Sequence, residues 1–538
     1  MKRLLINIAI FSFLAGIFGS CKKTLDSQFY NPDQPTTASM GGLLTGMEFN
    51  NRIHSSYYDY YTFIMSVTAP FSQMVAVPPG TDMYTPNLGY IAPRWTDYYA
   101  GSGIGDYNYS GPGIMSNFRE MQTAYAALAP AEQAEQYIFL QAANVIVCDQ
   151  TAQMIDLFGD IPFFQANSLN ITREAVNAPF DDAATIYDTL INNLDQLNNY
   201  FATTTLSSSA QQSFTTQDKI YGGNMDNWRR YANSLRLRLL MRISNVNPTA
   251  AQTKITAMLN NPNTYPLITD NSQNALLNQS PTTLISDIQG AISSQGPYSL
   301  APAYLLDTIM KANGDPRLSV YWDLDSIGGY AGISAFASSS QFALGISNHT
   351  VSPYDSATFI YNYAVPGVLF TAAETDFLVA EADVRWGLGD GGANAYYNGI
   401  TQSINFYYGL NQTRSLKPGS GNWSIQPTPS ADSIARYEAQ PAIAFASSTQ
   451  EKLAQIYTQK WESFFILQAQ QAWAEYRRTG YPKLNFYNYS SVPSGKNALP
   501  PNRLLYPAAE TEYNTYYIND KTLQAKDTWN TKIFWDVN

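Results

Sequence analysis

The chain has 538 residues, 31 of them Lys or Arg and 42 Asp or Glu, for a formal net charge of −11. That acidity excludes nucleic acid as a partner, since a phosphate-neutralising footprint takes net basic surface. Charged residues make up only 14%, whereas 39 tyrosines and a 14% aromatic share exceed what a core uses; the excess points to an aromatic-rich binding surface.

In chain order, Lys2 and Arg3 form a positive start, residues 4–18 an apolar run, and Gly19 and Ser20 stand directly before Cys21. This is the layout of a secretory signal over residues 1–20, with an apolar run too short for a comfortable membrane span. The cysteine at the cleavage point, followed by the polar Lys22, Lys23 and Thr24, marks a lipoprotein. Its thiol takes a diacylglycerol and becomes the new N-terminus. Phe18 departs from the usual pattern, which has a smaller aliphatic residue there. Several acyl chains on one cysteine hold a protein firmly. The expectation is an exported, lipid-tethered protein of a Gram-negative bacterium. Its charge after processing is −13, from 29 basic and 42 acidic residues. No later apolar run approaches transmembrane length, so membrane contact is expected through the lipid anchor only.

Residues 21–40 are polar, carry Asn31-Pro32 and Gln34-Pro35, and read as a lipidated tether. Residues 41–538 read as one mostly α body with little β. Apolar residues at helical spacing run through 132–157 (Tyr137, Leu140, Val145, Cys148, Ala152), 183–201 (Ile186, Leu190, Leu194, Leu197), 228–243 (Trp228, Tyr231, Leu235, Leu239) and 371–386 (Phe377, Ala380, Val384). One long helix is expected near the C-terminus. It starts at a capping box, Ser448-Thr449-Gln450-Glu451, carries Arg477 and Arg478 in its last turn, and stops at Gly480 and Pro482. Long loop insertions are expected near 271–363 and 416–441, and loops of that length are usually functional. No fixed-period repeat is present, but helix pairs of this kind suit degenerate helical hairpins.

Chemistry-bearing motifs are missing. The two histidines, His54 and His349, lie far apart in sequence and fit no zinc spacing. There is no H-E-x-x-H, G-x-S-x-G, P-loop or dinucleotide fingerprint. Asp323-Leu324-Asp325 begins like a calcium loop but fails at Ile327 and at Ser334, where a bidentate Glu is needed. Cys148 sits in an apolar helix and reads as a buried inert thiol. Glu374 and Glu381 share a helical face and could be a glycosidase pair. The better reading is that they meet the arginines of the Trp228 helix (Arg229, Arg230, Arg236, Arg238, Arg242) as structural ion pairs. The expectation is no enzyme, no catalytic residue, no metal and no cofactor.

Several segments in one order carry a resemblance: DLFGDIPF at 156–163, WRRYANSLRLR at 228–238, AETDFLVAEA at 373–382, QKW at 459–461, WAEYRRTGYP at 473–482 and PNRLLYP at 501–507. Together with the lipidation signal, the chain resembles the SusD/RagB family of outer-membrane nutrient-binding lipoproteins, closest to its starch-binding branch. The resemblance implies a scaffold of tetratricopeptide-like helical hairpins with a loop-built ligand face. It implies a location at the outer membrane facing the exterior, and a SusC-like TonB-dependent barrel as partner, on which the lipoprotein sits as a lid. It implies an oligosaccharide ligand, or in some members an oligopeptide. The family's ligand face matches residues 84–109 and 298–330 here. Trp95, Tyr98, Tyr298 and Trp322 are the expected stacking platform, and Arg94 and Asp97 the expected hydroxyl contacts.

Overall fold

The computed structural model describes residues 39–80, 82–101, 113–169, 177–280, 284–294, 300–488 and 492–538. Cys21, the leader and nearly all of the tether lie outside them. Residues Met40–Asn538 form one compact unit.

Helix formation follows from local chemistry at several ends. Asn87 caps Leu88–Tyr99 (α2), which follows Met40–Glu48 (α1). Ile114–Ala127 (α3) leads to the long Pro130–Phe158 (α4), which takes Pro130 in its first turn, where no N–H partner is needed. Asp182 caps Ala183–Thr203 (α5), and Asn224 caps Met225–Arg242 (α6). Thr371 opens Ala372–Trp386 (α7), which Gly387 closes at φ +66; Ala393–Gln412 (α8) follows. Ser448 accepts from the Glu451 N–H at the start of Thr449–Phe464 (α9). Gly480, left-handed at φ +68, ends Ala469–Thr479 (α10). In α5 the residues at three- and four-residue spacing (Ile186, Leu190, Leu194, Leu197, Phe201) are all buried, as amphipathic periodicity requires.

The helices pair in succession: α3 with α4, α5 with α6, α7 with α8, and α9 with α10. Neighbouring pairs stack, α4 against α5, α6 against α7, and α7 against α9. The result is a mostly helical solenoid of hairpins, the scaffold anticipated above. Among the described residues no helix is long and apolar enough to cross a membrane. The only named strands there, Ala275–Leu277 (β1) and Gly367–Phe370 (β2), pair antiparallel.

Buried ion pairs fasten the hairpins. Arg238 of α6 makes a two-pronged contact with Glu374 of α7 (2.6 and 2.6 Å) and reaches Asp149 of α4 at 3.0 Å. Glu374 therefore meets an arginine of the Trp228 helix, as expected. Glu381 does not: it is held by Arg478 of α10 (2.8 and 2.6 Å) and by Arg385 of its own helix. Arg242 instead joins Glu475 at 3.1 Å and Asp156 at 3.6 Å. Cys148 is fully buried in α4, and burial pushes its thiol far above the usual range.

Two expectations need correction. The single helix expected over 448–478 is broken: α9 ends at Phe464, a 3-10 turn spans Phe465–Gln468, and Phe465 has φ +41. The cause is tertiary. The Phe465 ring stacks on Tyr321 at 4.0 Å and packs against Trp322, Tyr354 and Phe359 of the insertion. The insertion itself is also more ordered than its composition suggests, with helical turns at Tyr304–Lys311 and Ser339–Asn348. It has a small core of its own in which Ala76 meets Leu300, Ile333, Ala337, Phe342 and Val351.

Candidate functional site

Five of the six expected ligand residues lie inside the core. The face of α2 carrying Ile91, Arg94, Trp95 and Tyr98 points inward, at spacings that make one helical stripe. Trp95, 3% exposed, packs against Tyr99, Phe158 and Tyr506 and donates its ring N–H to Glu510 at 3.2 Å. The Tyr98 hydroxyl meets Thr151 at 2.7 Å. Arg94 is ion-paired with Asp59 at 2.7 Å, and Asp97 is buried beside it in sequence. Trp322, 1% exposed, stacks on Tyr354 at 4.8 Å within the Phe465 cluster. Rings covered on both faces cannot stack on a sugar, so Trp95, Tyr98 and Trp322 are packing residues, and Arg94 and Asp97 sit below the surface with them. Tyr298 lies outside the described residues.

A partly accessible aromatic site exists elsewhere, and only Tyr84 and residues 302–304 of its lining fall in the two expected regions. Three remote segments converge on a small apolar groove: Gln73, Met83 and Tyr84 from the N-terminal third, Tyr304 and Ile333 from the insertion, and Phe486 from beyond α10. Hydrogen bonds fix the convergence. Ala76 N–H donates to Leu300 O at 3.1 Å, the Gln73 amide to Asn485 O at 2.7 Å, and the Asn497 amide to Tyr84 O at 3.0 Å. Gln73 takes φ +52, a conformation rare outside glycine and tolerated where surrounding contacts impose it.

Of the rings that line the groove, Tyr84 is buried and Tyr304 and Phe486 are half-buried. Beside it, next in sequence to the lining residues Ala335 and Phe486 respectively, stand Phe336, 53% exposed, and the half-buried Tyr487, with their rings 6.0 Å apart. Phe486 stands edge-on to Tyr84 at 5.9 Å and to Tyr476 at 5.8 Å, which fixes its orientation. Tyr304 packs near Trp461 at 6.1 Å, and partial burial raises its phenol above the usual value, so it stays a neutral donor. Among the described residues its hydroxyl has no hydrogen-bond partner. The Lys496–Asp82 ion pair, 2.7 Å and solvated, flanks Met83. Half-covered rings with one open hydroxyl suit an amphipathic ligand that offers a C–H face and hydroxyl groups.

Tyr84 and Tyr304 fall within the two expected regions, but neither was singled out there. The aromatic run Phe486-Tyr487 after Gly480-Pro482 was a signal in the sequence that periodicity, being a test for helices, passes over. Among the described residues no cluster of three or more His, Cys, Asp or Glu side chains is placed to hold a metal ion.

Comparison with known proteins agrees with the architecture. The chain is similar to a chitin-binding protein of known structure (22% identity, 93% of this chain and 100% of that one, TM-score 0.72). It is similar to a Bacteroidetes SusD-like protein (21%, 93% and 100%, 0.71) and to a SusD homologue from Bacteroides fragilis (19%, 93% and 100%, 0.70). No curated protein matches. Residues 48–507 match the family model described as "starch-binding associating with outer membrane". The helical-hairpin solenoid, the order of its segments and that match over most of the chain place it plainly: this protein belongs to the SusD-like family.

Proposed function

We propose that this protein is a non-catalytic lipoprotein, anchored through Cys21 on the outer face of the outer membrane. It captures an oligosaccharide over the open rings around the Tyr304–Phe486 groove, whose own hollow of about 40 Å³ is too small to enclose a sugar, and hands it to a SusC-like TonB-dependent barrel. The observation that carries the reading is the groove: partly open rings and an unengaged phenol, assembled from three remote segments on a rigid scaffold. Support for a glycan comes from the family's description and from the chitin-binding protein of similar fold. Flat rings recognise sugar faces with little loss of side-chain entropy.

Isothermal titration of residues 21–538 with starch and chitin oligosaccharides and with unrelated peptides tests the ligand class. Saturable heat from a glycan and none from the peptides is expected; the reverse pattern rejects the glycan. Purification of the native protein in mild detergent tests anchor and partner together. A lipid-modified N-terminus and a co-eluting outer-membrane barrel are expected, and a free, unacylated monomer rejects both.

A further inference from the structure

Apart from the groove lies a polar cavity of about 50 Å³ lined by Arg52, His54, Asp59, Arg94, Gln470 and Gln471, among others. It holds roughly three waters' worth of space or one small ion. Its lining is rich in donors. Asp59 is the one carboxylate among the lining residues, and Arg94 already engages it at 2.7 Å. Arg52 donates to Gln150 Oε1 at 2.9 Å, to Arg94 O at 2.7 Å and to Met154 Sδ, all uncharged acceptors. Among the described residues no carboxylate lies within ion-pair reach of Arg52. It is 6% exposed, Arg94 3%.

Donors are left over as well. Arg52 Nη2 and Arg94 Nε are buried with no hydrogen-bond partner. Gln471 gives its carbonyl oxygen to Arg242 at 2.8 Å, and its amide nitrogen has no acceptor among the described residues. His54 adds no charge near neutrality, because burial holds it down to about 4. Burial and the neighbouring Arg94 pull the Arg52 guanidinium down to about 9, while the Asp59 and Asp97 carboxylates pull it the other way. A buried N–H without an acceptor is costly, and a lining of donors favours a guest that only accepts.

We propose that this cavity is a binding site for a small monovalent anion of chloride's size, held by Arg52 Nη2, Arg94 Nε and the Gln471 amide. The ion would tie the segment after α1 to α2 and α10 by accepting from the N–H groups left without partners. Neither this site nor its occupant depends on the glycan reading.

The test is bromide-soaked crystals of the intact protein, read by anomalous diffraction, with thermal unfolding as a second readout. An anomalous peak within hydrogen-bond reach of Arg52 is expected. In solution, Tm should climb by about 2 °C and saturate as chloride replaces gluconate from about 1 to about 100 mM at fixed ionic strength. Arg52→Met keeps the side-chain length without the charge and should abolish the chloride dependence. A cavity with no anomalous peak, holding water alone, overturns the proposal even if the variant does not fold, and so does a Tm identical in both salts.

Discussion

Arg238 shows how much this fold asks of single buried charges. Its guanidinium is shared between Glu374 and Asp149, so its removal leaves two carboxylates unpaired in the interior. Arg238→Ala should destabilise the protein by about 3–5 kcal/mol in urea unfolding; a loss under about 1 kcal/mol would mean that water reaches the pair. Asp376 of α7 is the opposite case, a buried carboxyl whose Oδ2 has no partner among the described residues. Burial raises it to about 8. Folded, the group keeps its proton up to about pH 8; unfolded, it releases it at about pH 4. The folded state therefore binds the extra proton between those values. The stabilisation is complete below about pH 4 and is lost as pH rises to about 8. Asp376→Asn cannot ionise, so its Tm should gain on the wild type steadily from pH 4 to pH 8. A gap that does not change with pH contradicts this.

At the scale of elements, the helices that periodicity found are those whose apolar stripes repeat over several turns. Their caps were legible too: Ser448 and Gly480 do in the structure what residues of their type do locally. The break at Phe465 was not legible, because its cause lies in Tyr321, Trp322, Tyr354 and Phe359, all more than 100 residues earlier. Two effects of similar size compete there. Glycine would relieve a strained backbone by about 1–3 kcal/mol, while loss of the ring from its cluster costs about 3–5 kcal/mol. Ring burial wins, so Phe465→Gly should destabilise by about 2 kcal/mol, read from the urea midpoint. A stabilised variant would show that the kink, and not the ring, dominates. The same long-range blindness explains Trp95 and Trp322. Composition calls for exposed rings but cannot say which ones, and these two lie on inward faces of their elements.

For the whole molecule, scaffold and site differ in how they are encoded. The scaffold is written in contiguous runs, and the family's segments fall on it: WRRYANSLRLR within α6, AETDFLVAEA within α7, and WAEYRR at the end of α10. The groove is written in three fragments separated by hundreds of residues, brought together only by the fold. Sequence reasoning therefore reached the architecture, whereas most of the groove's lining, Tyr84 and residues 302–304 apart, falls outside the two regions it marked. On the proposed function, Tyr304 in the groove and the exposed Phe336 beside its lining residue Ala335 contact the glycan. Phe336 is largely exposed and Tyr304 half-buried, so their replacement should leave the scaffold intact. The deciding measurement is calorimetric titration of the bound oligosaccharide into the wild type and into a Tyr304→Ala, Phe336→Ala double variant, with Tm recorded for both. The expected result is an affinity weakened by about 30-fold, roughly 2 kcal/mol, at a Tm changed by less than about 2 °C. Equal affinity in the two proteins would contradict it.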